Sequence, residues 1–286
     1  MYPKITLVTP AYNMAAYIEE TICSVLDQGY PNLEYIILDG KSTDGTVAII
    51  QKYENQLAYW HSQKDKGMYD AIQQGFDRGT GEIMGWLNAD DCLLPKSLFV
   101  IAKAFTEVPE VNWIQGAPLI ANKVGQLISS TTTQGNKYFF YSRQGQINAF
   151  IQQESTYWRR SLWESAGGKL ATEFRYAADF ELWMRFFEHS PLHCLRAPLA
   201  SFRFRRDEQL SALHVSQYHA EMKQIIDHLH PSLSPKDRAR IRFIQAYESW
   251  GKYLSALFPS LRHRYQNLLQ IQYLHYDIDK DVFSLK

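Results

Sequence analysis

Short apolar runs rich in β-branched or aromatic residues alternate with amphipathic patterns over the first 117 residues. The runs read KITLVTP, LEYIILDG, LAYWHSQ, GEIMGWLN and VNWIQGA, and the patterns between them predict helices around 15–28, 44–54, 67–78 and 95–106. Strands and helices that alternate at this spacing are joined by right-handed crossovers, which predicts a mostly parallel sheet covered by helices on both faces. We therefore predict an open, Rossmann-like α/β fold for this part of the chain.

The pattern changes twice beyond this point. Residues 118–210 read as mixed strands and loops, and after Ser211 the pattern is helical, interrupted by HPSLSP and FPS. We predict one domain over 1–210, with halves 1–117 and 118–210, followed by a C-terminal helical extension over 211–286.

Polar clusters follow the predicted strands at the points where the strands end. They are Thr9 to Asn13, Asp39 to Asp44, Lys64 to Asp70 and Asn88 to Asp91. In open α/β sheets, ligands bind in the crevice beyond the carboxyl ends of the strands. The four clusters are therefore expected to meet at one sheet edge and to form a binding site.

Each cluster also has an ordinary structural interpretation. DGKSTDGT is typical of a βα loop with Ser42 or Thr43 as helix N-cap, and KDKGMYDAIQQG is typical of a surface turn with Asp70 just inside a helix. Turns alone do not explain why several carboxylates gather at one edge, where they would repel one another. A divalent cation that carries a phosphorylated ligand would offset this repulsion, because hard cations bind carboxylate and phosphate oxygens.

The composition narrows the classes of protein. The chain has 286 residues, of which 45% are hydrophobic, which is enough to bury one large core. Thirty basic and thirty acidic residues give a formal net charge of zero, which argues against general nucleic-acid binding. Three scattered cysteines fit a reducing compartment, and no apolar stretch has the length of a membrane span. These features predict a cytoplasmic protein.

Six motifs occur in order between residues 4 and 206: VTPAYN, DGKSTDGT, DKGMYDAIQQG, GWLNADD, QESTYWRRSLW and RYAADFELWMRF. Together they resemble the family 2 glycosyltransferases of the GT-A fold. The resemblance implies an inverting enzyme of polysaccharide or glycolipid synthesis. It would move a sugar from a nucleoside diphosphate sugar, with a UDP-sugar as first choice, to a glycan or lipid-linked acceptor with the help of Mn²⁺ or Mg²⁺.

The resemblance also implies roles for individual residues on the donor side. NADD matches the family's metal-binding acidic motif, with Asp91 as the first choice for a direct ligand and Asp90 contacting ribose or metal. Asn88 stands where many relatives carry a third aspartate. The full set of implied donor-binding residues is Pro10, Ala11, Tyr12, Asn13, Asp39, Lys66, Asp70, Asn88, Asp90, Arg203 and Arg205.

An inverting displacement also needs a base on the face opposite the leaving diphosphate, because the acceptor hydroxyl loses a proton as it attacks. Asp179 occupies the family's position for that base, although it could instead be the N-cap of the following helix. Relatives usually carry an acidic residue at position 178, where this chain has Ala178. Glu154 and Trp158 are predicted to bind the acceptor.

Two segments keep alternatives open. Arg203, Arg205 and Arg206 lie where relatives carry a loop that contacts phosphate, but their alternation with phenylalanines also suits an edge strand. Residues 236–265 carry seven Lys or Arg against two acidic residues on an amphipathic pattern. Such a segment can lie on an anionic membrane as a peripheral contact, pack on the catalytic domain, or form a homodimer.

Two other functions remain as alternatives. One is a catalytically inactive nucleotide-sugar-binding partner protein of the same fold, which would have no use for a base at Asp179. The other is a nucleotidyltransferase, which would usually carry a glycine-rich basic loop after the first strand. TPAYNMAAY has no such loop.

Overall fold

The first 107 residues form the predicted succession of strands and helices. The computed structural model describes residues 2–131, 135–143, 150–205, 209, 213–251, 253 and 258–285. The early elements are β1 (Ile5–Ala11), α1 (Ile18–Leu26), β2 (Leu33–Asp39), α2 (Thr46–Lys52), β3 (Tyr59–Ser62), α3 (Met68–Arg78), β4 (Ile83–Trp86), β5 (Cys92–Leu93) and α4 (Ser97–Glu107). Every strand and helix predicted up to α4 is confirmed, with ends that shift by a few residues.

The second part of the chain mixes short strands with helices. Its strands are β6 (Trp113–Gln115), β7 (Leu119–Ala121), β8 (Leu127–Ser130), β9 (Thr156–Arg159), β10 (His193–Cys194), β11 (Ala200–Arg203), β12 (Gln272–Asp277) and β13 (Val282–Leu285). Its helices are α5 (Lys137–Ser142), α6 (Arg160–Ser165), α7 (Ala178–His189), α8 (Val215–Leu229), α9 (Pro235–Ala246) and α10 (Pro259–Leu268). A single 3₁₀ turn, Gln153–Ser155, precedes β9.

The described strands form a large sheet and a small one. The large sheet has nine strands in the order β13-β12-β10-β6-β9-β4-β1-β2-β3, and the small one has the order β5-β11-β7-β8. In the large sheet β1 pairs in parallel with both β2 and β4, whereas β9 runs antiparallel between β4 and β6. The prediction of a mostly parallel sheet flanked by helices is confirmed.

The C-terminal region ends in strands, which the prediction of a helical extension missed. β12 and β13 form an antiparallel hairpin, and β12 pairs in parallel with β10, so the hairpin extends the large sheet. Leu274 of this hairpin is 3% exposed and anchors β12 against the core of the sheet. Helices α8, α9 and α10 confirm the helical prediction for the earlier part of the region.

A cluster of tryptophans fills the core on one face of the large sheet. Trp183 of α7 stacks on Trp86 of β4 at 5.6 Å between ring centroids, and its ring lies 5.5 Å from that of Trp158. Trp158 is 0% exposed. The prediction that Trp158 binds the acceptor is therefore wrong, because its indole is enclosed by other core rings.

Helix α9 packs on the body of the protein. Its Ile241 and Ile244 are buried, and Ile241 belongs to the same apolar cluster as Phe140 of α5. Of the alternatives for segment 236–265, these two residues follow packing on the catalytic domain. Trp250 and Phe258, farther along the segment, are exposed. Among the described residues, no helix combines the length and the apolar character needed to cross a membrane.

Candidate active site

The polar clusters that follow β1, β2, β3 and β4 meet at one edge of the large sheet, as predicted. Ala11 pairs with Asp39, and Asp39 pairs with Ser62, so three strands end at the same level. Leu87, just before the acidic cluster, donates its N–H to Val8 of the central strand. This register gathers the predicted donor residues at the carboxyl end of the sheet.

Asp39 is buried at the end of β2 and is bound by its own loop. Its carboxylate accepts hydrogen bonds from the Ser42 N–H at 2.9 Å, the Ser42 hydroxyl, and the Ser62 hydroxyl at 2.6 Å. Asn13 has a φ of +53° and ties the β1 loop to the same place, because its N–H donates to Ser42 Oγ at 2.7 Å. The loop is thereby fixed before any ligand binds.

The predicted N-cap of α2 lies elsewhere. The helix begins at Thr46, and the carboxylate that accepts the Thr46 N–H, at 3.1 Å, belongs to Asp44 and not to Ser42 or Thr43. Asp44 also accepts the Ala15 N–H at 2.9 Å. The side chains of Ser42 and Thr43 are therefore not needed for the helix start.

Tyr12 is exposed at this edge of the sheet, at 61% of its surface. Asp65 and Tyr12 pack closely on Gly40, where a Cβ would stand 2.8 Å from Asp65 Oδ2 and 3.4 Å from Tyr12 Cδ2. A larger residue at 40 would displace the Asp65 carboxylate. An exposed aromatic ring next to a carboxylate offers a stacking surface and a hydrogen-bond acceptor, which suits a flat, hydrogen-bonding group such as a nucleobase.

The other predicted donor residues differ in accessibility. Pro10 and Ala11 are buried in β1, and Lys66 is exposed. Asp70 accepts the Lys66 N–H at 3.1 Å and a hydrogen bond from Gln74 at 2.9 Å, so it stabilises the start of α3. Asn88 lies beside the acidic pair, and its Oδ1 is buried without a hydrogen-bond partner among the described residues.

The acidic pair Asp90 and Asp91 occupies two different environments. Asp90 Oδ2 forms an ion pair with Arg205, with Nη2 at 2.6 Å and Nε at 2.9 Å. Asp91 is 0% exposed; its Oδ1 accepts the Arg203 N–H at 2.9 Å, and its Oδ2 is buried without a partner among the described residues. Burial, reinforced by the charges of Asp90 and Glu154, raises the pKa of Asp91 well above its usual range.

Arg203 is a structural residue, which contradicts its predicted role in donor binding. Its guanidinium donates to the carbonyl oxygens of Asp90 at 2.8 Å and Lys123 at 3.1 Å, and to Glu20 at 2.6 Å. The residue is 3% exposed. Arg203 therefore joins β11 to the acidic loop, while Arg205 is the arginine whose side chain meets Asp90. Arg206 lies outside the described residues.

The residues at this edge fit a divalent cation that is shared with a ligand. Within the described part of the chain, no group of three or more His, Cys, Asp or Glu side chains forms a complete metal site. Mg²⁺ and similar ions are commonly held by one or two carboxylates, with phosphate oxygens and water completing the shell. Asp90 and Asp91 supply that number, and the buried Asp91 Oδ2 has no other partner among the described residues.

Asp179 lies in the first turn of α7 and is partly exposed. Its Oδ1 accepts the Phe180 N–H at 2.7 Å and the Tyr69 hydroxyl at 3.2 Å. Burial raises the pKa of Asp179 to about 6, and the nearby Glu221 adds to the rise, while the hydrogen bonds oppose it. A carboxylate with this pKa is mostly ionised at neutral pH and can accept a proton.

Glu154 lies close enough to Asp90 and to Asp179 for the charges of both to act on it. Burial raises the pKa of Glu154 to about 8, and the negative charges of Asp90 and Asp179 contribute to the rise. The side chain is buried, and its Oε1 has no hydrogen-bond partner among the described residues. Because both carboxylate groups act on Glu154, the structure brings the predicted base and the predicted metal ligands to one region.

Asp179 is not the N-cap of α7, and the sequence did not predict the contact that holds the backbone before this helix. α7 begins at Ala178, after the cap position at Ala177. The backbone N–H groups of residues 175–177 instead donate to Glu221 of α8. This carboxylate is more than forty residues away in the chain, so no local motif predicts it; the only signal is its place beside the buried Met222 on an amphipathic helix.

Comparisons with known proteins point to one family. The sequence profile of glycosyl transferase family 2 matches residues 6–165, more than half of the chain. The glycosyltransferase TuaG of Bacillus subtilis, named for teichuronic acid biosynthesis, is 38% identical over 92 residues, which are 31% of this chain and 36% of that protein. The aligned part therefore spans little more than a third of that relative.

Solved structures share the fold. The S. aureus TarS fragment 1–349, in complex with UDP-GlcNAc, has a TM-score of 0.66 at 18% identity, over 93% of this chain and 79% of that one. The mannosyltransferase PcManGT of Pyrobaculum calidifontis, in complex with GDP-Man and Mn²⁺, has a TM-score of 0.52 at 17% identity, over 94% and 85% of the two chains. At these identities the likeness establishes the fold alone.

Proposed function

Because this chain belongs to glycosyl transferase family 2, we propose that it is an active inverting transferase that moves a sugar from a nucleoside diphosphate sugar to a hydroxyl group. The observation that carries the proposal is the environment of Asp179. Asp179 is a partly exposed carboxylate with a pKa raised to about 6, and it lies in the same region as the acidic pair. A protein that only bound nucleotide sugars would not need a proton acceptor there.

The donor is proposed to be a UDP-sugar. Support comes from the exposed Tyr12 ring beside Asp65, and from the solved relative that holds UDP-GlcNAc. Asp39 would act indirectly, because its carboxylate already accepts hydrogen bonds from Ser42 and Ser62. In this proposal Tyr12 stacks on the base, and the Asp39 loop holds the neighbouring β1 loop in position.

Asp179 is proposed to take the proton of the attacking hydroxyl group. In an inverting displacement the base lies on the face opposite the leaving group, so that one proton is removed as the new bond forms. The Tyr69 hydroxyl holds Asp179 Oδ1, which leaves Oδ2 for the acceptor. A pKa of about 6 keeps the base ionised at pH 7 while it remains basic enough to accept a proton.

Mn²⁺ or Mg²⁺ is the proposed cofactor, held by Asp90 and Asp91. When bound, such an ion neutralises charge on the leaving diphosphate. Arg205 lies at Asp90 and adds positive charge on the same side of the site. The relative that holds GDP-Man and Mn²⁺ supports the use of a divalent ion in this fold.

The acceptor is proposed to be a glycan or a lipid-linked sugar, oriented by Glu154. Glu154 is buried like Trp158, but it belongs to the polar cluster and its Oε1 has no hydrogen-bond partner among the described residues. With a pKa of about 8 it is mostly protonated at neutral pH, so it can donate a hydrogen bond to an acceptor oxygen that reaches it. The exposed Trp250 and Phe258, in a segment rich in Lys and Arg, support peripheral contact with an anionic membrane from the cytoplasmic side. A homodimer through the C-terminal helices is the other proposed contact.

The Asp179→Asn variant tests the proposed mechanism. Asparagine keeps a side-chain oxygen for the Phe180 N–H and Tyr69 hydroxyl but loses the proton acceptor. We expect transfer from a radiolabelled UDP-sugar to fall by about 10² to 10⁴. Affinity for UDP with Mn²⁺, measured by calorimetry, should stay close to that of the wild-type protein.

The exposed Glu173→Gln serves as the matched control, because it removes a carboxylate a few residues before the same helix. Transfer by Asp179→Asn at the wild-type rate would show that Asp179 is not the base. If the wild-type protein binds UDP-sugars but transfers none of a donor panel and hydrolyses none, the inactive binding partner becomes the better description.

A further inference from the structure

We propose that Glu221 of helix α8 is a positioning residue that holds Asp179 in place by binding the backbone just before α7. The inference rests on the proposed role of Asp179. It assigns a part of the active site to the C-terminal region, which lies beyond the residues matched by the family profile.

The geometry is that of one carboxylate on three consecutive backbone N–H groups. Glu221 Oε2 accepts from Tyr176 at 2.8 Å and from Ala177 at 2.8 Å, and Oε1 accepts from Arg175 at 3.0 Å. These three N–H groups belong to the loop that ends at Ala177, immediately before the first residue of α7. Backbone N–H groups that are turned away from water need an acceptor, and Glu221 supplies it from α8.

The charge of Glu221 suits this position. The start of a helix carries a partial positive charge, which favours an anion close to the first turn. Hydrogen bonds to an ionised acceptor are also roughly twice as strong as those between neutral groups. A carboxylate from α8 therefore fixes the loop before α7 more firmly than a neutral acceptor would.

The same loop is held on its other side by a residue that contacts the base. The Tyr69 hydroxyl is 3.0 Å from the Tyr176 carbonyl oxygen and 3.2 Å from Asp179 Oδ1. Asp179 is only two residues beyond the last N–H that Glu221 binds. If the loop at 175–177 moved, both the contact with Tyr69 and the direction of the Asp179 carboxylate would change.

Two more residues of the same region reach the site. The His214 ring packs against that of Tyr176 with 4.9 Å between centroids. Burial raises the pKa of the Tyr218 phenol well above its usual range, and the nearby charges of Asp179 and Glu221 add to the rise. α8 and the residue before it therefore pack on the loop that precedes the base, and Glu221 supplies the contact that fixes the backbone of this loop.

Glu221 is expected to affect catalysis through the position of the Asp179 carboxylate. Displacement of a reacting group by about 1 Å can lower a rate on the order of 10²-fold, even when the group itself is intact. Removal of Glu221 should therefore lower kcat and leave donor binding alone, because the donor residues lie on other loops. This separates a positioning role from a general loss of folded protein, which would lower the amount of active enzyme and of donor-binding sites together.

The test compares Glu221→Ala and Glu221→Gln in the full chain, with Asp227→Asn as control. Asp227 is an exposed carboxylate of the same helix, paired with Lys223. Hydrogen exchange read at the amides of 175–177 needs no ligand, and we expect it to be on the order of tenfold faster in Glu221→Ala and unchanged in the control. Glutamine keeps one oxygen as acceptor, so Glu221→Gln should show a smaller increase.

Kinetics complete the test, with the UDP-sugar that gives the largest thermal shift on the wild-type protein as donor. We expect kcat to fall about 10- to 100-fold in Glu221→Ala and less in Glu221→Gln, with the donor KM and the calorimetric affinity for UDP with Mn²⁺ unchanged. Unchanged exchange at 175–177, or unchanged kcat in Glu221→Ala, overturns the inference while Asp179 keeps its role. Full activity of Asp179→Asn overturns the proposed function instead.

Discussion

Asp90 and Asp91 are neighbours in the chain, but they differ in burial and in their hydrogen-bond partners. Asp91 has no exposed surface and accepts the backbone N–H of Arg203, whereas Asp90 faces Arg205. The motif alone ranks Asp91 first as a metal ligand. The structure favours Asp90 as the carboxylate that a bound diphosphate and its cation can approach, because Asp90 is 5% exposed whereas Asp91 is 0% exposed.

This difference predicts that Asp90→Asn weakens Mn²⁺-dependent binding of UDP more than Asp91→Asn does. We expect a loss of affinity of about tenfold or more for Asp90→Asn, since a charged ligand becomes a neutral amide beside a diphosphate. Asp91→Asn keeps an oxygen for the Arg203 N–H but also replaces a carboxylate ligand by an amide, so we expect a smaller loss, of about three- to tenfold. Calorimetric titration with and without Mn²⁺ measures both. A larger loss in Asp91→Asn would restore the ranking given by the motif.

At the scale of elements, helix α3 and strand β1 approach each other closely at Gly75. A Cβ at this position would lie 2.5 Å from Val8 Cγ1 and 2.8 Å from Val8 Cγ2, so any side chain forces one of the two elements to move. Glycine inside a helix is normally less favourable than alanine by about 1 kcal/mol. Here the close approach outweighs that preference.

We therefore predict that Gly75→Ala lowers the free energy of unfolding by about 1 to 3 kcal/mol, the usual cost of overpacking. Removing the valine methyl groups should relieve the clash, so that Gly75→Ala combined with Val8→Ala loses less than the sum of the two single variants. Urea denaturation of the single and double variants measures the coupling. Strict additivity would mean that Gly75 is not in contact with Val8.

The elements themselves were largely predictable, whereas the partners of the site residues were not. The alternation of apolar runs and amphipathic patterns identified every strand and helix from β1 to α4 except the two-residue strand β5, because each of the identified elements carries its own periodicity. Trp158 and Arg203 were assigned to ligands from a motif, and only the packing of β9 between β4 and β6 and the contacts of β11 show that both are enclosed. Glu221 was missed because its partners are a loop far away in sequence, and hydrogen bonds to backbone leave no motif.

At the scale of the whole molecule, a formal net charge of zero conceals a local excess of negative charge. Asp90, Asp91, Glu154 and Asp179 lie in one region, and the pKa values of the last three are raised. A raised pKa means that the folded protein binds protons that the unfolded chain releases. The raised pKa values of these carboxyl groups should therefore lower the free energy of unfolding as the pH rises.

The contribution of Glu154 to this pH dependence can be measured. Its pKa is about 4.5 in the unfolded chain and about 8 in the folded protein, so between pH 5 and pH 8 only the unfolded state is ionised at this position. Stability should fall as the pH rises through this window, by up to about 1.4 kcal/mol per pH unit from this group. The Glu154→Gln side chain is neutral in both states, so the free energy of unfolding of this variant should match that of the wild-type protein near pH 5 and exceed it increasingly toward pH 8.

Urea denaturation at several pH values, with EDTA and without nucleotide, measures the two curves, and Glu173→Gln controls for loss of an exposed carboxylate. Parallel curves for Glu154→Gln and the wild-type protein would show that Glu154 is ionised in the folded state and cannot be the neutral donor proposed for the acceptor.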